Sequence, residues 1–474
     1  MVRRRDTLLR RRIMFPRLLA ITLLALTTGF STSSAGWWTG RYTLAGPGTL
    51  TVQLKGERAT VALGLGHAGV QVVPARVDGN SVQFSLPGRP APLVFEGSIA
   101  GNRLTGTVRQ GALRGTFRAS RGESRPLVSA GLYGALSVVD DPYGPERLVN
   151  LDSGAVNALY PSGAAFAIGS GFAARAPTRG VARFDVASGV VAGTPLRRQA
   201  TRQLEVRFRS DDAILAGTLT LPASRGPHAA VVFVTGSGET TRAYLPELQG
   251  LFVRNGVAVL AYDKRGIGQS GGFYPGESPT PTTIDLLARD AAAAVRFLAR
   301  QPEIDRSRVG LAGHSQAGWI MPLTALRTPA VHFVVVFSGP AVTADETDLY
   351  QNLTGQGERH QTESDAAIDA QVIAAGRSGV DPMPWIGKLR IPVLWVYGGR
   401  DEHVPPRLSV QRLEPVAREP GRDFSIRVFP KANHALVETK TGLTSEMLRS
   451  DRFAPGMFAF VRGWLRAHRL TDER

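Results

Sequence analysis

From Gly36 to about Arg125, apolar and polar positions alternate in short runs, with the period of a half-buried strand. Val82, Phe84 and Leu86 share one face, as do Phe95, Gly97 and Ile99, then Leu104, Gly106 and Val108. Asp78-Gly79-Asn80, Ala100-Gly101-Asn102 and Gln110-Gly111 supply turns between them. Short strands at regular spacing predict a small antiparallel sheet curled into a barrel or a sandwich. Trp37 and Trp38 stand at its start, as a plug for one end or as the lining of a ligand pocket. Over residues 126–202 the pattern weakens. Leu132-Tyr133, Leu148-Val149, Val156 to Tyr160, Phe166 to Ile168 and Ala182 to Val186 read as short strands between glycines and prolines. They form either a second β module or an extended connector that packs on the carboxy-terminal part of the chain.

From residue 203 to 474 the texture changes. Leu204 to Phe208 and Ile214 to Leu221 read as an antiparallel pair around Ser210-Asp211-Asp212. Ala229 to Val234 and Val257 to Tyr262 are continuous apolar runs, the pattern of strands buried on both faces. Tyr244 to Asn255 suits a helix, and Asp285 to Arg300 places Leu287, Ala291, Ala294 and Leu298 on one helical face. Further strands are expected at Val309, Val331 to Phe337, Ile391 to Tyr397 and Phe424 to Phe429, and a last helix over Met447 to Ala467. Alternation of this kind predicts an α/β domain, a mostly parallel sheet covered on both faces. The polar stretch 341–389, with short helical pieces, interrupts it and reads as a lid.

Composition sets bounds on this picture. The chain has 474 residues, 20% of them charged and none cysteine, so thiol nucleophiles, disulfides and thiolate metal sites are excluded. Residues 1–35 form a basic leader, an apolar run from Leu18 to Leu26, and small residues at Ser33-Ser34-Ala35. This is the order of a secretory signal peptide cut after Ala35, the alternative being an uncleaved anchor. Met14 is an alternative start. An exported mature chain, periplasmic or extracellular and without stable membrane insertion, is expected. The leader holds seven arginines and Asp6, so its removal lowers the formal net charge from +17 to +11. That excess is scattered arginine rather than a stripe with interleaved aromatics, which argues against nucleic-acid binding.

The candidate chemistry gathers at Gly313-His314-Ser315-Gln316-Ala317-Gly318. An apolar strand breaks at Gly313, and a helix-competent stretch lies beyond Ser315. A serine on such a strand-to-helix turn is held in a strained conformation with its hydroxyl exposed. Gly268-Gln269-Ser270-Gly271-Gly272 fits the glycine-x-serine-x-glycine pattern more strictly, but among 53 glycines such matches are cheap. Ser270 also runs into Phe273-Tyr274-Pro275-Gly276, which cannot start a helix, and is read as a loop residue. A serine nucleophile needs a base oriented by a third group. Among eight histidines, His434 stands in Pro430-Lys431-Ala432-Asn433-His434-Ala435, directly after the last expected strand. His314 should point away from the serine it precedes. Asp401 ends the strand before that, in Gly398-Gly399-Arg400-Asp401-Glu402-His403-Val404-Pro405, with Glu402 as the alternative acid.

The order serine, acid, histidine is that of α/β-hydrolases and differs from that of chymotrypsin-like proteases. Residues 203–474 resemble that superfamily, close to exported esterases and serine-aminopeptidase-like hydrolases. The motifs that carry the resemblance are Val234-Thr235-Gly236-Ser237-Gly238, Tyr262-Asp263-Lys264-Arg265-Gly266, the Ser315 turn, Asp401 with Val404-Pro405, and Asn433-His434. The resemblance implies an oxyanion hole built from the backbone N–H of Gln316 and of Ser237, although Thr235 stands where a histidine is usual. Asp263-Lys264-Arg265-Gly266 is expected to tie loops together near the site. The resemblance thus implies a serine hydrolase of small carboxylic esters. Peptide or amide hydrolysis is the alternative, and a catalytically inert binding protein the second. No metal and no organic cofactor is implied, and serine in place of aspartate at the turn argues against a haloalkane dehalogenase.

Overall fold

The structure, a computed structural model, describes residues 36–472 apart from 45–46, 56, 65–70, 87–90, 122–130, 140–145, 163–164, 173–176, 185–187, 359–361 and 448. The leader expected at 1–35 lies outside the described residues. Among those described, no helix is long and apolar enough to cross a membrane.

Three sheets succeed one another along the chain. The first comprises β1–β8 (Gly36–Thr43, Pro47–Lys55, Arg58–Gly64, Gln71–Asp78, Ser81–Leu86, Leu93–Ala100, Arg103–Gln110, Leu113–Arg121) and closes into an antiparallel barrel. Closure comes from β1 pairing with β8, with Trp38 opposite Arg121 and Thr43 opposite Thr116. Alternation along each strand sends one set of side chains inward. Phe84 stacks on Phe95 at 4.9 Å, Phe117 meets Phe95 edge-on at 5.4 Å, and Trp38 is fully buried in the same cluster. Trp38 is therefore part of a packed core.

The second sheet is an antiparallel meander, β9–β16 (Gly131–Tyr133, Leu136–Val139, Glu146–Asn150, Val156–Ser162, Ala165–Gly169, Pro177–Phe184, Ser188–Val191, Thr194–Arg197). Tyr133, Leu148, Leu159, Phe166 and Ile168 form a core of its own. Leu132, Val139, Val149, Leu151 and Val156 instead join a core shared with the third sheet's helices. Arg147 reinforces the junction with a 2.6 Å ion pair to buried Glu247.

The third sheet, β17–β24 (Arg202–Ser210, Ala213–Leu221, His228–Val234, Ala258–Tyr262, Ile304–His314, Phe333–Phe337, Val393–Gly398, Phe424–Phe429), runs in the order β17-β18-β20-β19-β21-β22-β23-β24. It begins with an antiparallel hairpin turning at Asp211 (φ 50°) and is parallel from β20 through β24. Every residue of β19, β20, β22 and β23 is buried, as two-sided cover demands. Helices α1 (Pro246–Arg254) and α9 (Met457–Ala467) cover one face. Helices α2 (Pro281–Leu298), α3 (Ala317–Arg327) and α7 (Pro406–Ala417) cover the other. Strand order reverses around β19, and the crevice beyond the carboxyl ends of the strands at such a switch point is where α/β sheets bind ligands.

The stretch 341–389 forms α4 (Ala344–Thr354), α5 (Asp365–Ala374) and α6 (Met383–Ile386). Helix α4 is closed by a capping box between Thr343 and Glu346. Its Tyr350 packs with Val342, Ile368, Val372 and Leu408 in a small core.

One expected helix is broken. Instead of running from Met447 to Ala467, the chain makes a short α8 (Thr444–Met447), leaves the helix, and restarts at Met457. Pro455 cannot continue a helix and Gly456 takes φ 81°. The freed backbone pairs with the second sheet: Val156 N–H donates to Asp451 O at 2.7 Å and Phe453 N–H to Gly154 O at 2.8 Å.

Candidate active site

Ser315 stands just after β21 with φ 58°, on the turn into α3. A non-glycine residue in the left-handed region costs about 1–2 kcal/mol and persists only where its surroundings fix it. Here Ser315 N–H donates to Phe337 O at 2.9 Å and its carbonyl accepts from Gly318 N–H at 2.9 Å. A Cβ on Gly313 would stand 2.5 Å from Val234 O, and one on Gly318 would stand 2.7 Å from the Gly339 carbonyl carbon. Neither can be substituted without moving the backbone, whereas Ala317 fits beside Gly313.

The loop after β23 holds Asp401, 1% exposed, and the loop after β24 holds His434. His434 Nδ1 lies 2.8 Å from Asp401 Oδ2. The other carboxylate oxygen accepts the N–H groups of His403 and Val404, each at 2.8 Å. Tyr350 Oη donates to the Asp401 carbonyl at 2.7 Å, tying α4 to this loop. Burial pushes the Asp401 carboxyl up to about 6, against the opposing pull of His403, the two amides and His314. Glu402, the alternative acid, is buried beside it, and its Oε2 has no partner among the described residues.

His314 sits closer to this pair than its place in the sequence suggests. Its ring centre is 4.6 Å from that of His434, and the His403 ring also stands 4.6 Å from His434. His314 Nε2 is 2.9 Å from His434 O, an atom that only accepts, so Nε2 carries a proton. Nδ1 then takes the Tyr244 hydroxyl at 2.8 Å. Burial raises the Tyr244 phenol and keeps it a donor. This contact fastens the residue before Ser315 to the backbone of His434. No strand alternation announces it, since the partner comes from a loop 120 residues away.

Ser237 and Gln316 face a cavity of about 210 Å³ that Ser315, Trp319, Thr347, Asp348, Gln351, Glu277 and Val404 also line. Among the described residues, neither the Ser237 N–H nor the Gln316 N–H has an acceptor. Thr235, which departs from the usual histidine, is buried and accepts from Thr240 Oγ1 at 2.6 Å, pinning the loop internally. Thr347, Asp348 and Gln351 of α4 line the same cavity and were not named from the sequence; the Thr343-x-x-Glu346 spacing is the sequence signal for the helix that brings them. A larger cleft, about 1270 Å³, lies at the opposite, amino ends of the strands beside Arg225, Arg308 and Arg466, and touches none of these residues.

Ser270 is committed elsewhere. Its hydroxyl donates to Asp263 O at 2.7 Å and accepts from Ala216 N–H at 2.9 Å. Asp263 takes Arg242 through both oxygens and caps Gln269 N–H. Arg265 forms a buried two-bond pair with Asp290, both at 2.8 Å. Among the described residues no group of three or more His, Cys, Asp or Glu side chains is arranged to hold a metal ion.

A sheet of this order, with a strained serine after β21 and a buried aspartate–histidine pair after β23 and β24, has the arrangement of the α/β-hydrolase fold. Within it, residues 225–360 match the family described as Serine aminopeptidase, S33. The chain is similar to the esterase EstD of Thermotoga maritima, 29% identical over 252 residues, 47% of this chain and 58% of that protein. It is also similar to the thiohydrolase aneE of Aspergillus aculeatus, 35% identical over 115 residues, 24% of this chain and 34% of that one. The chain thus spans 58% or less of the length of these two curated relatives. The solved Pyrococcus furiosus esterase Pf2001 aligns at a TM-score of 0.40 and 18% identity, over 57% of this chain and 92% of that one.

Proposed function

We propose that the protein is an exported serine hydrolase that cleaves carboxylic esters through an acyl-enzyme on Ser315. The observation that carries this reading is the 2.8 Å contact of His434 with Asp401, at the sheet end where Ser315 is held at φ 58°. Asp401 holds Nδ1, so Nε2 is the nitrogen that takes the Ser315 proton as the hydroxyl attacks the acyl carbonyl. The same imidazolium returns the proton to the leaving alcohol, and water then releases the acid by the reverse sequence. The N–H groups of Ser237 and Gln316 receive the oxyanion, each contributing on the order of 3 kcal/mol to the transition state. Similarity to EstD supports ester substrates.

Hydrolysis of an aminoacyl amide is the second reading. The matched family is named for aminopeptidases, and the carboxylates of Glu277 and Asp348 in the same cavity suit a protonated amine. Parallel assays of nitrophenyl esters and amino-acid anilides separate the two. Faster ester turnover is expected, and preferential anilide cleavage reverses the assignment. A fluorophosphonate should label the folded protein and fail to label Ser315→Ala; absence of labelling in the parent chain leaves the inert binding protein as the answer. The leader supports export, for which the mature amino terminus, expected at Gly36, is the test.

A further inference from the structure

Lys264 stands just after β20 and is 4% exposed. Its ammonium donates to Gly236 O at 2.5 Å, Gly238 O at 3.1 Å and Gln316 Oε1 at 3.2 Å. All three acceptors are neutral. The cations around it are arranged differently: Arg265 is paired with Asp290 and Arg242 with Asp263. Burying an ammonium with no carboxylate in contact is unfavourable, and a loop could be pinned by neutral donors instead. Charge at this point therefore calls for a use.

The acceptors indicate one. Gly236 O belongs to the same peptide unit as the Ser237 N–H. A trans peptide is planar, with its C=O and N–H pointing in opposite directions. A cation drawing the Gly236 carbonyl to one side turns the Ser237 N–H to the other, and withdrawing density from the oxygen makes that N–H a stronger donor. The third bond holds the side chain of Gln316, the residue that supplies the second amide, and Gln316 Nε2 in turn donates to Glu277 O at 3.3 Å. One ammonium thus fixes both halves of the pocket. Building on the reading of Ser315 as nucleophile, we propose that Lys264 is the positioning residue of the oxyanion hole: through the 236–237 peptide it aims and polarises the Ser237 N–H toward the charge that develops on the substrate.

The group has a signature that a plain structural pin lacks. Burial lowers the Lys264 ammonium to about 7, with Glu277 opposing the shift. Besides Glu277, the ring of Tyr274 faces Nζ at 5.9 Å, and the neighbouring Asp263 and Arg265 are held by Arg242 and Asp290. Activity should accordingly fall as pH rises past about 7, a limb separate from the acid limb set by Asp401.

The test is steady-state hydrolysis of a nitrophenyl acetate by the full chain, its K264M and K264Q variants, and S315A, from about pH 5 to 9. K264M is expected to lose about 10²-fold in kcat with little change in KM, the scale of one oxyanion donor, and to lose the alkaline limb as well. K264Q is the second variant should K264M fail to fold, and the parent's alkaline limb is read without any variant. A kcat for folded K264M or K264Q within about threefold of the parent, or an alkaline limb that survives in them, overturns the assignment. A parent chain that neither hydrolyses the ester nor takes up fluorophosphonate overturns the hydrolase reading instead, so the two failures are told apart.

Discussion

His434 and Asp401 meet at 2.8 Å, joining the loops that leave the last two strands of the sheet. Only one carboxylate oxygen serves the histidine. The other is occupied by two backbone N–H groups, so the acid cannot rotate away. Asp401→Asn would keep the shape and those two bonds but would present an amide to Nδ1. It is expected to lower kcat by about 10³–10⁴-fold, with an unchanged circular dichroism spectrum. Because burial holds the Asp401 carboxyl near 6, the parent's kcat should fall as pH drops below about 6. Retention of more than about a tenth of parental kcat by the variant would exclude Asp401 as the orienting acid.

Glu402, next in the chain, gives a stability prediction of known sign. Burial, then Asp365 and Asp401, push its carboxyl up to about 7, with Arg407 opposing. The folded chain therefore holds a proton that the unfolded chain releases in the window from about 4.5 to 7, and this group lowers stability as pH rises through it. Glu402→Gln should be more stable than the parent at about pH 8, and the advantage should vanish by about pH 4. Thermal unfolding at both pH values checks this; an advantage of the same size at the lower pH would refute the titration.

Arg265 and Asp290 lie 3% and 0% exposed and share two bonds behind the site. Removing one partner leaves the other charged and buried. Asp290→Ala is expected to destabilise the fold by about 3–5 kcal/mol, whereas an apolar replacement of both residues should recover most of that loss. Denaturant titration of the single and double variants tests the point, and a single variant within about 1 kcal/mol of the parent would contradict it.

Legibility in the sequence divides along physical lines. Continuous apolar runs such as 229–234 and 257–262 declare strands buried on both sides, so the parallel sheet was legible. The places of Ser315, Asp401 and His434 just beyond β21, β23 and β24 were legible because each follows an apolar run that ends in a turn. The 131–197 region is ambiguous because its sheet is buried on one face by its own residues and on the other by α1 and α9. Neither alternation nor a continuous run survives that. The break before α9 depends on backbone pairing of Asp451 and Phe453 that only the folded neighbour supplies. Lys264 reads as one charge in a charged turn, and its acceptors are backbone oxygens and one amide, which leave no residue-type pattern.

The same contrast between the two β regions predicts how the chain tolerates truncation. Among the described residues, the barrel's core cluster runs from Trp38 to Ala119 and includes none from the other sheets. The second sheet lends Leu132, Val149, Leu151 and Val156 to a core that also contains Leu248, Leu251, Phe252 and Phe458 of α1 and α9. It further holds Arg254 of α1 through both oxygens of Asp152, and Glu247 through Arg147. A chain beginning near residue 126 should fold and keep the parent's kcat within about twofold, since no described core cluster is split by the cut. A chain beginning at residue 203 uncovers four large α-helical side chains at once, each worth about 1.5–3 kcal/mol of burial, and should aggregate or unfold. Expression of both truncations, followed by size-exclusion chromatography and ester turnover, decides the matter: a well-folded, active chain from residue 203 would show that the second sheet is dispensable and that the shared core contributes little.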